Sequence, residues 1–341
     1  MVSLPSLVGL ALLLGLVLVY ATLRLVNRQH LLAQVNERSS HVVPTPTMGG
    51  VAIVLVCLGY LLVPVFYVPG ITLPLALALG SVAFVGLVDD LRPMSRRLRM
   101  LVHLFSAGFA LYALQGSSEI PWWQMGLAWF AVVWFLNLYN FMDGIDGMAA
   151  VQSLTFVVGV MLLSGGVPGW AGELLWVFAG ASLAFLGFNW PPARIFMGDV
   201  GSGFSGLLIG LFAIYLAWQE ILPLIANLIL LAGFWFDATY TLCVRMFSGQ
   251  PFTQAHRSHL YQRLAQRRGH LWTTTGYLLV NLCWFLPLAY TSTQFPNLAL
   301  LSLLIAVLPM AFLCYLFRAG YPEAAYPGTD RHDDESADEN D

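Results

Sequence analysis

Lysine is absent from this sequence of 341 residues, and only 10% of its residues carry charge. That poverty of charge excludes an ordinary soluble domain, where about a quarter of residues are charged. Cysteine is scarce as well: Cys57, Cys243, Cys283 and Cys314 show no paired spacing. They read as small buried hydrophobes and not as disulfides or metal ligands. There is no internal repeat and no second domain.

What is present is hydrophobicity, at 58% of residues with a mean hydropathy of +0.74. Apolar stretches of roughly 17–25 residues recur along the chain, each long enough to cross a ~30 Å hydrocarbon core as a helix. They fall at 4–26, 48–68, 71–88, 100–115, 123–139, 148–166, 172–188, 203–219, 221–244, 272–290 and 297–317. The expected fold is an all-α polytopic membrane protein of about eleven transmembrane helices. It forms one multi-helix domain over residues 1–320, followed by an acidic tail over 321–341 too polar to fold. The first apolar run is too long, and lacks the preceding basic residues, for a cleaved signal peptide, so it is expected to stay as a helix.

Arginine sets the orientation, because short cytoplasmic loops collect cations. With the N-terminus outside, every Arg falls on one side: Arg24, Arg28 and Arg38, then Arg92 to Arg99, then Arg194, then Arg245 to Arg268, then Arg318 and Arg331. The expectation is therefore a periplasmic N-terminus and a cytoplasmic C-terminus.

Acids near lipid are costly and mark functional sites. Six of the ten acids outside the tail, Asp89, Asp90, Asp143, Asp146, Asp199 and Asp237, fall at or near cytoplasmic ends of spans. Asp89 and Asp90 adjoin a cluster of four arginines, and such paired carboxylates suit arginine or a hard divalent cation. In NLYNFMDGIDG, Asn137, Asn140, Asp143 and Asp146 recur every three residues, a spacing that lines one helix face, while the Asp-Gly steps suggest a break into a loop that approaches a ligand. Around Asp199, the glycines of FMGDVGSG can turn backbone amides and a helix N-terminus toward a phosphate. His256 and His259, with Arg257 between them, sit in the longest cytoplasmic loop and suit a polyanion better than zinc, for which further ligands are missing. A basic helix lying on acidic lipid would explain the arginines but not the histidines. Carboxylates, a hard cation and Arg/His groups on one face point to phosphoryl transfer between a soluble nucleotide and a lipid. A proton-coupled transporter is disfavoured, since its acids would lie near the midplane within paired repeats.

The ordered elements PTPTMGG (44–50), VDD (88–90), NLYNFMDGIDG (137–147), NWPPARIFMGD (189–199) and HRSHLYQRL (256–264) resemble the polyprenyl-phosphate N-acetylhexosamine-1-phosphate transferases, glycosyltransferase family 4. The likeness is greatest to the branch that initiates O-antigen and related surface polysaccharides. It implies transfer of a GlcNAc-, FucNAc- or QuiNAc-type sugar 1-phosphate from a UDP-sugar to undecaprenyl phosphate, with release of UMP. It also implies Mg2+, with Mn2+ as a substitute, and an active site on the cytoplasmic face of the bacterial inner membrane. The implied partners are the UDP-N-acetylhexosamine, undecaprenyl phosphate, membrane lipids and a second copy of the chain, with no nucleic acid.

By the same resemblance Asp199 is the principal metal ligand, Asp89 deprotonates or positions the lipid phosphate, and Asp90 is a metal or water-mediated contact. Phe196 stacks on uracil with Asn189 and Asp146 at its polar edge. Asn137, Asn140 and Asp143 line the remaining space, Thr47 sits at the rim, and His256, Arg257 and His259 meet phosphate or sugar. The family's lysines near PTMGG and after the paired aspartates are absent, which makes Arg38, His41 and Arg92 candidate replacements. The phospho-MurNAc-pentapeptide transferase branch carries three adjacent histidines in this loop; the separation of His256 from His259 points away from that substrate.

Overall fold

A computed structural model describes residues 4–29, 32–33, 45–116, 119–250 and 256–322. Arg38, His41 and nearly all of the acidic tail lie outside these residues. The described chain is built from α1 (Leu4–Gln29), α2 (Val51–Leu62), α3 (Thr72–Leu91), α4 (Arg96–Gln115), α5 (Trp122–Met142), α6 (Met148–Ser164) and α7 (Gly169–Asn189). It continues through α8 (Asp199–Trp218), α9 (Leu224–Leu230), α10 (Ala232–Phe247), α11 (Leu260–Val280), α12 (Leu286–Gln294) and α13 (Ala299–Leu316). Two short strands, β1 (Leu32–Ala33) and β2 (Thr45–Pro46), pair antiparallel with Leu32 opposite Pro46.

Among the described residues, eight helical segments are long and apolar enough to cross a membrane, or nine if α9 and α10, which meet at 77°, count as one broken span. The eleven expected runs reach this count because two of them give shorter apolar helices, α2 and α6. For α2 the cause is local: the apolar run continues to residue 68, but Pro64 starts a 3-10 turn, Pro64–Phe66, so only 12 residues are α-helical. Apolar composition is indifferent to that break; backbone hydrogen bonding is not.

Helix α8 forms the centre of the bundle, buried along most of its length and packed on α3 and α5. Small residues let these backbones come close, as membrane helix pairs do when no hydrophobic effect drives them together. Gly86 of α3 rests against the backbone of Asp199, where a Cβ would overlap the Asp199 carbonyl. Helix α1 packs on α7 and turns Leu10, Leu13 and Val17 outward, as lipid contact requires.

Candidate active site

The site is assembled around the first turn of α8. Gly198 precedes it with φ 77°, a left-handed conformation that also leaves room for the Asp90 carboxylate. Asp90 ends α3 and takes both leading amides of α8, from Asp199 N at 2.9 Å and from Val200 N at 3.1 Å. A carboxylate on a helix N-terminus satisfies orphan donors and the helix dipole together. Asp90 thereby fixes the direction in which Asp199 emerges.

Asp199 has two further partners. Asn140 of α5 donates to its Oδ1 at 2.9 Å and to Ser202 Oγ at 2.8 Å. Arg99 of α4 donates from Nη1 to Asp199 Oδ2 at 2.6 Å and, with the same nitrogen, to Asp89 Oδ2. Asp89 also accepts from the amide of Met94 at 2.6 Å. Asp143 caps the end of α5, and burial, with Asp199 and Asp90 close by, raises its carboxyl well above the ordinary range.

The segment 46–50 lies beside 196–197: Phe196 N donates to Pro46 O at 2.8 Å, Gly49 N to Phe196 O at 2.8 Å and Gly50 N to Met197 O at 2.9 Å. This ladder brings Thr47 and Phe196 to one cavity. Asn189 holds the neighbouring turns, accepting from Gly147 N and donating to Ile195 O, both at 2.8 Å. Asp146 accepts from Ala193 N at 3.0 Å and faces His270 Nδ1 at 3.1 Å. Both residues, expected at a uracil edge, thus spend their first hydrogen bonds on the turns that shape the pocket.

Two cavities meet here. One, of about 510 Å3, is lined by Arg96, Arg99, His103, Asn137, His256 and His259. The other, of about 300 Å3, is lined by Thr47, Asp90, Asp143, Asp146, Asn189, Phe196 and His270. Asn140, Gly144, Asp199 and Gln262 line both. A basic lobe and an acidic, aromatic lobe therefore share one wall, with Asp199 on it. In the basic lobe the rings of His256 and His259 stack at 4.9 Å, and His256 Nδ1 lies 3.0 Å from Ser258 Oγ. Burial, then His259 and Arg245, pushes His256 down to about 3, so the ring is neutral at neutral pH.

Eleven of the thirteen residues to which the resemblance assigns a site role line one lobe or the other; Asp89 and Arg257 line neither, and Asp89 reaches the site through Arg99. The sequence marks the four-arginine cluster beside Asp89 and Asp90 without selecting Arg99 from it, and His103, Gln262 and His270 are not among the expected site residues. Arg96, Arg99 and His103 stand three and four residues apart on α4, so helical spacing alone marks them as one face. His270 lies beyond a kink at Gly269 (φ 80°), which no periodicity reveals.

Among the described residues, no three or more His, Cys, Asp or Glu converge as a closed metal cage. Asp89 and Asp199 nevertheless share a cationic partner in Arg99, so hard carboxylate oxygens already surround a positive charge. That donor set fits Mg2+, which takes one or two carboxylates and completes its shell with phosphate and water. Asp90, with each oxygen on an amide, would reach a cation only through its remaining lone pairs.

Fold and site together define a polytopic membrane protein with an acid-centred, two-lobed polar cleft. The profile of Glycosyl transferase family 4 matches residues 72–217, from the start of α3 to the penultimate residue of α8. A probable undecaprenyl-phosphate N-acetylglucosaminyl 1-phosphate transferase of Bacillus subtilis is 30% identical over 248 residues, covering 68% of each chain. A decaprenyl-phosphate N-acetylglucosaminephosphotransferase of Mycobacterium leprae is 29% identical over 71% of this chain and 72% of its own. A phospho-N-acetylmuramoyl-pentapeptide-transferase of Wolbachia is 31% identical over 53% of this chain and 63% of its own. The chain belongs to glycosyltransferase family 4, the polyprenyl-phosphate hexosamine-1-phosphate transferases.

Proposed function

We propose that this protein moves an N-acetylhexosamine 1-phosphate, of GlcNAc, FucNAc or QuiNAc type, from a UDP-sugar to undecaprenyl phosphate. UMP is released at the cytoplasmic face of the inner membrane, in the first membrane step of O-antigen or related polysaccharide synthesis. The observation that carries this reading is the shared wall: Asp199 lies between a basic lobe and an acidic, aromatic one. The basic lobe suits the lipid phosphate, and the lobe with Phe196 and Thr47 suits the nucleotide.

In this reading an oxygen of the ionised lipid phosphate attacks the β-phosphorus of the UDP-sugar. A new P–O bond forms, the bond from that phosphorus to the bridging oxygen breaks, and UMP leaves with the bridging oxygen. Arg96 and Arg99 draw the lipid phosphate into the basic lobe, and Asp89 orients Arg99. Asn140 and Asp90 hold Asp199 still, so little reorganisation accompanies charge development. Mg2+, or Mn2+ in its place, would be held by Asp199, with Asp90 as a second contact, and when bound supplies positive charge to the diphosphate oxygens. His256 and His259 serve as hydrogen-bond partners to phosphate or sugar.

Purified protein incubated with undecaprenyl phosphate, Mg2+ and a panel of UDP-N-acetylhexosamines tests the reading. UMP should appear with one donor and only when lipid is present. The Wolbachia relative's name makes UDP-MurNAc-pentapeptide the second reading, and it belongs in the panel. UMP from that donor alone would replace the first proposal, and none from any donor would end both.

A further inference from the structure

Asp237 is an acid that the cleft leaves unused. It lies within α10 at 0% exposure, and such a carboxylate is costly unless its oxygens are engaged. Its partners are unusually directed. Leu260 N donates to Oδ1 at 2.9 Å and Tyr261 N to Oδ2 at 3.0 Å, so one carboxylate takes the first two amides of α11. Tyr277, in the last turn of α11, donates its hydroxyl to Oδ2 at 3.1 Å. The residue immediately before these amides is His259, which forms a capping box with Gln262 over the first turn of α11 and whose Nδ1 stands 3.7 Å from Asp237 Oδ1. His259 is 3% exposed yet lines the basic lobe. Tyr261 extends the connection, donating its hydroxyl to Phe141 O at 2.8 Å, beside the Asp143 turn.

We propose that Asp237 is a positioning residue that acts through His259: it clamps the first turn of α11 and faces one edge of the imidazole, so that the rest of the ring is presented to the cleft opposite Asp199. The proposal rests on the transferase reading above. It differs from a bulk stability role, because a helix held a fraction of an ångström away would leave His259 folded but misdirected.

The test is a double-mutant cycle on UMP release with Asp237→Asn, His259→Gln and the pair. Asn keeps the volume but sets an NH2 against an amide donor. The expected result is a kcat at least tenfold lower for Asp237→Asn, a KM for the UDP-sugar within about threefold of wild type, and less than twofold further loss when His259→Gln is added. Losses that multiply, or unchanged turnover in Asp237→Asn, would overturn it. If Asp237→Asn does not fold, Tyr277→Phe loosens the same carboxylate and takes its place in the cycle.

Histidine modification by diethylpyrocarbonate, mapped by mass spectrometry, reads the same geometry without turnover. His259 should react several-fold faster in Asp237→Asn than in wild type, while His270 is unchanged; equal rates at His259 contradict the proposal. An inactive wild type with this reactivity difference would sink the transferase reading and leave the positioning role standing.

Discussion

Asp199 takes its place from three neighbours, Asp90, Asn140 and Arg99, each on a different helix. Asp199→Asn should cut UMP release by at least about 100-fold with little change in thermal unfolding, the size of effect that preorganised electrostatic groups show. Asp143 behaves differently. Its carboxyl is raised by burial and by Asp199 and Asp90, so its contribution to stability is present below the unfolded carboxylate value and is lost as pH rises through the elevated one. Asp143→Asn should therefore unfold at a higher temperature than wild type at alkaline pH, with the gap closing in acid, while turnover falls. His256 has the opposite sign: its value is depressed from 6.5 to about 3, so the stability it contributes is full above 6.5 and drains away as pH falls toward 3. Thermal unfolding of His256→Gln should show a shallower acid limb than wild type.

The residues of the cleft were largely legible in the sequence because each is a polar exception in an apolar chain. Their partners were not. Asp90 and Asp199 are far apart in sequence, and nothing local says that one caps the helix the other begins. Arg92 is exposed and lines neither lobe, whereas Arg99, in the first turn of α4, bridges two of the carboxylates. Composition marks an arginine cluster; only the path of the helix selects its member.

At the scale of elements, the cleft depends on how closely α3 can approach α8. Gly86→Ala would press a methyl group into the Asp199 backbone, and overpacking of that kind costs about 1–3 kcal/mol. Its unfolding temperature should drop and its turnover with it, whereas Gly59→Ala, which meets open space on α2, should change neither. Asp90→Ala removes the acceptor for two amides and should cost about 0.5–2 kcal/mol in the same assay. Hydropathy finds most helices here, since their apolar lengths match a bilayer. It misses the shortening of α2 at Pro64 and the bend between α9 and α10, because both are backbone events inside continuous apolar sequence.

For the whole molecule, the distribution of arginine gives an orientation that can be measured. With the four native cysteines replaced, a single cysteine at Gly165 should react with an impermeant maleimide on intact cells, and one at Gly249 only after the membrane is opened. The reverse pattern would put the cleft on the outer face and remove its access to nucleotide sugars.

The central claim is that both a sugar and its phosphate move to the lipid. The most direct measurement is the mass of undecaprenyl phosphate before and after incubation with protein, Mg2+ and the preferred UDP-N-acetylhexosamine. A gain of one N-acetylhexosamine plus one phosphate, matched by UMP and lost in Asp199→Asn, is the predicted result. A gain of the sugar alone, matched by UDP, or an unchanged lipid would contradict it.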